Sequence, residues 1–421
     1  MSAPAGCQTT DIAIIGAGIV GLTIAWELRQ RYATARIDVF EKEPELARHS
    51  SGRNSGVLHA GLYYPEQTLK ARVCVEGARL LAAYCEERGL PMNRVGKVVL
   101  PVRAEDDALL DLLCSRGQNN GANVSLIDAD ALRALEPEAH TVTGRALHSP
   151  DTAVFNPGAI IRQLADDCAA QGVRIHLAAP ARELQPGRGE FYAGNARWSY
   201  GHFINAAGLH ADTLAHAFNV GRQYRILPFK GLYYNLSPHC PLNIRGHIYP
   251  VPDLRVPFLG VHFTKGYSGN IYLGPTAIPA FGREHYGALR GLDPWETPVI
   301  GARLLEQYAL NSGGFRTFAH QEALRFLKPV FAQAARALVP RLRSADMVAS
   351  AKVGIRAQLL NTQTRTLEND FVVQPGPRST HVLNAISPAF TASFAFARWV
   401  VEAQIAPQLE SASPPLLLSQ R

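Results

Sequence analysis

Long apolar runs are missing from this chain. No stretch of 18 uncharged hydrophobic residues occurs, and no basic segment leads into a short apolar one after Met1. The first absence argues against a membrane-spanning helix and the second against a secretory leader. Cysteine is scarce as well: Cys7, Cys74, Cys85, Cys114, Cys168 and Cys240 are scattered without C-x-x-C spacing. That pattern reads as free thiols in a reducing compartment, not as a disulfide scaffold or a metal cluster. No block of lysine or arginine offers the footprint a nucleic acid needs, although basic residues outnumber acidic ones by 42 to 35. The surplus suits the steering of an anionic substrate or nucleotide, or weak attraction to an anionic membrane surface. No internal repeat is found. These absences lead to the expectation of a cytoplasmic protein, with room for peripheral contact at the inner face of a membrane.

What the sequence does contain is enough apolar material, 47% of 421 residues against 18% charged, for a large core shared by two domains. Its organising stretch is 11–41. Ile12-Ala13-Ile14-Ile15 reads as a buried parallel strand. It runs into Gly16-Ala17-Gly18-Ile19-Val20-Gly21, a G-x-G-x-x-G turn, and then into a segment with Leu22, Ala25, Trp26 and Leu28 at helical spacings. Residues 36–40 read as a second strand that closes on Glu41. In such a unit Gly16 permits the tight turn, Gly18 lets the backbone approach a pyrophosphate, and Gly21 lets the helix pack on the strand. The helix opens with N–H groups and a positive dipole end facing the phosphates. Glu41 stands where an acid accepts hydrogen bonds from ribose hydroxyls, and it would repel a 2′-phosphate, which disfavours NADP. The unit predicts a dinucleotide site that serves FAD or NAD alike; an ordinary βαβ unit with a glycine-rich turn is the plain alternative.

Further along, the polar, glycine-bearing stretch 49–64 makes a poor core helix and suits a chain threading beneath a large planar cofactor. Residues 70–88 read as a helix, 95–102 as a strand, 105–118 as a helix, and 126–135 as an acidic turn with a short helical piece. A helix from Asn156 to about Gln171 and a strand over 173–177 return to the parallel sheet, and 193–199 belong to a small meander. Phe203-Ile204 lead into Ala206-Ala207-Gly208, small residues that admit a ligand close to the backbone at a strand's carboxyl end. Strands and turns dominate 225–276, helices dominate the 290s to 340s, and Ser387-Pro388 opens a helix to about Ile405. The first ten residues read as a loose tail and those after Leu409 as an end segment.

Several of these stretches carry a resemblance. Ser51-Gly52-Arg53-Asn54-Ser55-Gly56-Val57-Leu58-His59-Ala60-Gly61-Leu62-Tyr63-Tyr64 closely resembles the L-2-hydroxyglutarate dehydrogenase/oxidase family of flavoproteins. So do Leu69-Lys70-Ala71 through Val75-Glu76-Gly77, Pro250-Val251-Pro252-Asp253, Pro257 through Thr264, Leu273-Gly274-Pro275, and Gly354-Ile355-Arg356-Ala357-Gln358. The cradle and Asn205-Ala206-Ala207-Gly208 are similar more broadly to FAD-dependent amino-acid and hydroxy-acid oxidases. The chain departs from the pattern at Ala357, where wider-family versions commonly have proline. The resemblance implies an α/β plus α+β fold: a Rossmann-like FAD-binding domain with an inserted mixed or antiparallel β-sheet substrate domain. The FAD-binding domain is expected over 1–92, 146–222 and 350–421, the substrate domain over 93–145 and 223–349. It further implies noncovalent FAD and oxidation of L-2-hydroxyglutarate to 2-oxoglutarate, with electrons passing on to oxygen, a quinone or another acceptor. A related amino-acid, amine or glycerol-phosphate oxidase is the nearest alternative, and a noncatalytic flavin-binding sensor or scaffold is one of a different class.

Oxidising a 2-hydroxy acid requires removal of a hydroxyl proton and of a hydride equivalent from carbon; flavin takes the hydride, and the protein orients the acid. Histidine is the economical base near neutral pH. His59, in the polar run, and His262, in a strand, are both candidates; His59 could instead orient the cofactor, and His262 could be an ordinary sheet histidine. Arg356 is the candidate for a substrate carboxylate, because its planar fork forms paired ionic hydrogen bonds; a structural ion pair or a flavin contact is the alternative. Tyr63 and Tyr249 are candidate cavity-wall donors, with aromatic packing as the plain reading, and Lys230 and Lys265 are further candidates for a distal carboxylate. Besides the three glycines and Glu41, the expected cofactor contacts are Lys42, Arg53, Asn54, Ser55, Gly208, Asn384 and Ser387. Near the last two, a helix start could turn N–H groups toward the flavin's pyrimidine edge. No metal site is expected.

Overall fold

The computed structural model describes residues 6–254 and 259–411. Pro257 and Phe258, part of one family-like run, and the end segment beyond 411 lie outside the described residues.

The opening strand, Gln8–Ile15, lies between two parallel neighbours, Ile37–Phe40 and Ala196–Asn205. Ile14 is opposite both Val39 and Ile204 in the register, which explains its unbroken apolar run: a strand flanked by parallel partners and covered on both faces has no wet side. The strand begins at Gln8, inside the expected loose tail, because residues 8–10 already pair with Trp198, Ser199 and Tyr200. One face of this sheet is packed by the helices Ile19–Arg31, Pro157–Ala170 and Ala389–Val400. Phe40, Phe191, Trp198, Phe203 and Phe218 cluster on the other. Full burial of each such side chain contributes roughly 1.5–3 kcal/mol before entropy is counted. The strand Arg174–His176 extends the parallel sheet beyond Ile37–Phe40, and Ser379–Asn384 joins parallel to the end of Ala196–Asn205.

The second sheet is mixed, with ten strands. Its spine is the antiparallel pair Tyr224–Leu236 and Met347–Asn361, in which Phe229 faces Arg356 and Gly231 faces Gly354. Lys97–Leu100 runs parallel to His247–Pro250, which pairs in turn with His262–Lys265. The strand Ser125–Asp128 precedes the helix Ala129–Leu135, where only a turn and a helical piece are expected from sequence. Two expected divisions, 145/146 and 349/350, fall inside the strands Arg145–Ser149 and Met347–Asn361, both members of this second sheet. We propose a division by sheet, which moves residues 146–149 and 350–361 to the substrate side.

The long helix Leu69–Glu87 starts at Thr68, whose side chain accepts the Ala71 N–H at 3.2 Å. It packs against Ala389–Val400 at Gly77, where a Cβ would strike the backbone of Ala392. The family-like V-E-G run is therefore a point of close helix approach.

Candidate active site

The cleft at the carboxyl ends of the parallel strands has two parts that share Gly18, Ser50, Ser51, Ala206 and Gly208 in their walls. The first, about 250 Å³, begins at the glycine turn. Gly16 has φ +107°, and a Cβ there would run into the Ala206 carbonyl. A Cβ on Gly21 would strike the Gly16 carbonyl, so this glycine holds the helix against the turn without lining the cleft itself. The Ser51 hydroxyl accepts the Ile19 N–H at 3.0 Å, and Glu41 accepts the N–H groups of Ala17 and Glu43, each at 3.0 Å. Glu41 and Lys42 both line this part.

A strap from the second domain side crosses here. Glu284 pairs with Lys42 at 2.7 Å and accepts from His210 at 2.9 Å. The hydrogen bond from His210, helped by Lys42, holds the Glu284 carboxyl down to about 2. Lys42 also pairs with Glu43, and these carboxylates raise its affinity for a proton against the effect of burial. Tyr286 receives a 3.0 Å contact from His49 Nδ1 and lies under the Arg53 guanidinium at 4.3 Å. Lys42 and Arg53 thus direct their charge to the strap.

The second part, about 320 Å³, extends beneath the second sheet. Arg53, Asn54, Ser55 and His59 enter from the polar run, Tyr249, His262 and Arg356 from the second sheet, and Ser387 through Thr391 from the start of the last long helix. Among the described residues, no aspartate or glutamate lines it. The polar run is tied to the second sheet at this point by Ser50 Oγ, which donates to the Ile355 carbonyl at 3.0 Å.

His59 is anchored to the helix start: its backbone N–H donates to Thr391 Oγ1 at 3.1 Å, and Nε2 lies 3.4 Å from Ser387 Oγ. Its Nδ1 is buried without a hydrogen-bond partner. Burial, with the positive charge of Lys97 next, pushes its affinity for a proton down to about 3. His262 enters the same chamber from the second sheet. Its Nδ1 is 2.7 Å from the Gly260 carbonyl, which can only accept, so Nδ1 carries the proton and Nε2 is left with its lone pair. Burial holds it near 4. The Tyr249 ring stacks on it at 3.9 Å between centroids. Arg356 donates from Nε to Gln358 Oε1 at 3.1 Å, and burial brings it down to about 10.

The remaining candidates divide. Asn54 is consumed locally, donating to the Ser51 carbonyl at 2.7 Å and accepting from the Gly56 N–H at 2.8 Å. Asn384 does not line the cleft; its amide donates to the Asp370 carbonyl at 2.6 Å, and its chain neighbours Ala385 through Ser387 form the wall. Tyr63 stands behind the wall, its hydroxyl buried and without a partner. Lys230 and Lys265 turn elsewhere, to the carbonyls of Gly287 at 3.0 Å and Arg245 at 3.1 Å. Sequence reading passed over Lys97 and the wall residues Phe229 and Tyr233. The apolar period of their strands was visible, but which face met the cavity depends on a register that single strands do not reveal.

A parallel-sheet dinucleotide cleft that opens into an acid-free chamber beneath a second sheet defines a flavin-dependent oxidoreductase. The glycine cradle, the acid at the second strand and the helix start at Ser387 fit FAD along the two parts of the cleft. The family model described as FAD dependent oxidoreductase, DAO, matches residues 11–403, and the chain belongs to this family. It is 34% identical over 404 residues to an L-2-hydroxyglutarate dehydrogenase of Indibacter alkaliphilus, covering 93% of this chain and 98% of that one. It is 32% identical over 428 residues to the mitochondrial L-2-hydroxyglutarate dehydrogenase of Homo sapiens, covering 95% and 90%. In fold it is similar to FAD-bound L-alpha-glycerophosphate oxidase from Mycoplasma pneumoniae, with TM-score 0.72 and 20% identity over 94% of both chains. Glycine oxidase from Geobacillus kaustophilus gives TM-score 0.69 at 14% identity, over 98% and 97% of the two chains.

The comparisons correct one expectation. Relatives from Nematostella vectensis, Caenorhabditis elegans and Homo sapiens are mitochondrial by name, so the expected cytoplasmic placement does not stand. The physical reason is that scattered free thiols and scarce long apolar runs do not single out one compartment. Among the described residues, no helix is long and apolar enough to cross a membrane.

Proposed function

We propose that this protein oxidises L-2-hydroxyglutarate to 2-oxoglutarate, with noncovalent FAD as the hydride acceptor. The observation that carries the reading is the chamber beneath the second sheet: it presents Arg356 and two neutral histidines and, among the described residues, no carboxylate. Such a lining favours an anionic hydroxy acid over a cationic amine.

FAD supplies the two-electron acceptor when bound. The chain supplies the rest. Arg356 takes a substrate carboxylate with its fork. His59 is the base, because it is the histidine tied to Ser387 and Thr391, at the helix start where the flavin ring would lie. It accepts the hydroxyl proton as the hydride leaves carbon. His262, in the same lining and fixed by Gly260, orients the acid through Nε2. With FAD bound, the N–H groups opening the helix Ala389–Val400 would meet the pyrimidine edge and stabilise negative charge there. Burial of the chamber under Tyr249 and Phe229 limits water near the reacting carbon.

The electrons then pass to oxygen, a quinone or another acceptor. Exposed apolar side chains, among them Trp295, Val299, Leu324 and Phe326, are available for peripheral membrane contact. Anaerobic mixing of the FAD-loaded protein with L-2-hydroxyglutarate tests the reading: the flavin absorbance should bleach with the L isomer and persist with the D isomer and with L-amino acids. Persistence with the L isomer would sink it. Separate exposure of the reduced protein to oxygen and to a quinone analogue then identifies the acceptor.

A further inference from the structure

Behind the chamber wall lies a cation that the reaction as described does not use. Lys97 is 2% exposed, and its Nζ has neither a hydrogen-bond partner nor an ion pair among the described residues. It is seated over ring faces instead, 4.8 Å from the centroid of Tyr63 and 5.5 Å from that of Tyr249. The strand register explains how it comes there. Lys97 is opposite His247 and Val99 opposite Tyr249, while Ile248 is opposite Phe263. Alternation then places Lys97, His247, Tyr249 and His262 on one face of the sheet, the face that meets the chamber. Tyr249 carries the contact onward through its 3.9 Å stack on His262.

Burying an unpartnered ammonium costs stability, and such a cost is retained where function uses it. Direct contact with substrate is excluded by geometry: Nζ is sealed from solvent-sized space, and Lys97 is not part of the chamber wall. Resting on the functional reading above, we infer that Lys97 is a positioning residue, whose ammonium between Tyr63 and Tyr249 holds the ring layer and presents a positive charge to His59 and His262 from behind.

The groups facing this charge are known from every side. Cys74 comes from the helix Leu69–Glu87, Tyr63 and His59 from the polar run, and His247, Tyr249 and His262 from the sheet. Lys70 adds a second buried cation near His59. Cys74 is no counter-ion, since burial pushes its thiol up to about 12. Burial also brings Lys97 down to about 7. The ammonium is therefore complete below that pH, the range in which either histidine would take up a proton and cease to be an acceptor.

Lys97→Met in the FAD-loaded protein tests this. Loss of the charge should move the acidic limb of the pH profile for anaerobic flavin reduction upward by about one to two pH units, the size expected for a charge several ångströms away at intermediate dielectric. The melting temperature should rise, because a buried charge without a partner has been removed. The sign follows from linkage. Unfolded lysine holds its proton up to about 10.5, whereas folded Lys97 gives it up near 7. Wild type therefore regains stability as pH rises from 7 toward 10.5, and the advantage of the variant should be full below 7 and shrink over that interval. An unmoved acidic limb would overturn the proposal. So would a lower melting temperature or failure to fold, either of which marks Lys97 as ordinary packing. If wild type itself is not reduced by the acid, the functional reading fails, and the melting series alone then decides the seat of Lys97.

Discussion

The two parts of the cleft are built from the same chain with opposite charge arrangements. Toward the glycine turn, charges meet their partners: Lys42 has Glu43 and Glu284, and Glu284 also has His210. Under the second sheet, Lys97 is buried behind the wall over the Tyr63 and Tyr249 rings, the two wall histidines are neutral, and among the described residues the lining holds no carboxylate. Buried charges without close counter-ions cost free energy in the empty protein. At the first part a diphosphate is offered the glycine turn and the start of the helix Ile19–Arg31. The second part is left to an incoming anion, and a dicarboxylate supplies what the chamber lacks.

Substitutions at the two ends should therefore fail differently. The largest effect is expected from His59→Ala, which should leave FAD content near normal and slow anaerobic flavin reduction roughly 10²–10⁴-fold, the usual worth of a positioned base. A full rate would return His59 to the role of cofactor orienter and leave His262 as the base. The smaller effect belongs to the paired end. Glu284→Gln should speed FAD release, followed by the recovery of flavin fluorescence, by roughly two- to fivefold, as befits partly exposed ion pairs. Reduction of the FAD that stays bound should be unchanged. The hydrogen bond from His210 holds the Glu284 carboxyl near 2, against about 4.5 for a free glutamate. Its contribution is thus complete above about 4.5 and is lost as pH falls toward 2. Retention of FAD in wild type should weaken over that interval, and less so in the variant. Equal loss of retention and rate in Glu284→Gln would erase the distinction between the ends.

The first part was almost wholly legible in sequence, because its requirements are local. Three glycines, a following helix and an acid at the next strand end are set by backbone sterics within about thirty residues. The chamber was legible only where a motif carried it. His59, Arg356 and Ser387 reach the cavity, as does Tyr249, but the polar Asn54 and Asn384 spend their side chains on neighbouring backbone. A hydrogen-bonding residue in a family-like run is as able to build the loop as to touch the ligand. Lys97 was hidden for another reason. In Val95 through Val102 it interrupts an apolar strand and reads as an exposed edge; only pairing with His247–Pro250 shows that its side of the strand is dry. The Met347–Asn361 strand was split between domains for the same reason, since its membership depends on twelve distant partners in Tyr224–Leu236.

The central claim is that the chamber takes a hydroxy dicarboxylate, and one comparison bears on it most directly. Rate constants for anaerobic flavin reduction can be measured with L-2-hydroxyglutarate and with L-2-hydroxypentanoate, which has the same chain length and a methyl group in place of the distal carboxylate. The account predicts that the monocarboxylate reduces the flavin at least about tenfold less efficiently, the loss expected for one charge-assisted contact of roughly 1.5–3 kcal/mol. Equal efficiency with the two acids would contradict it.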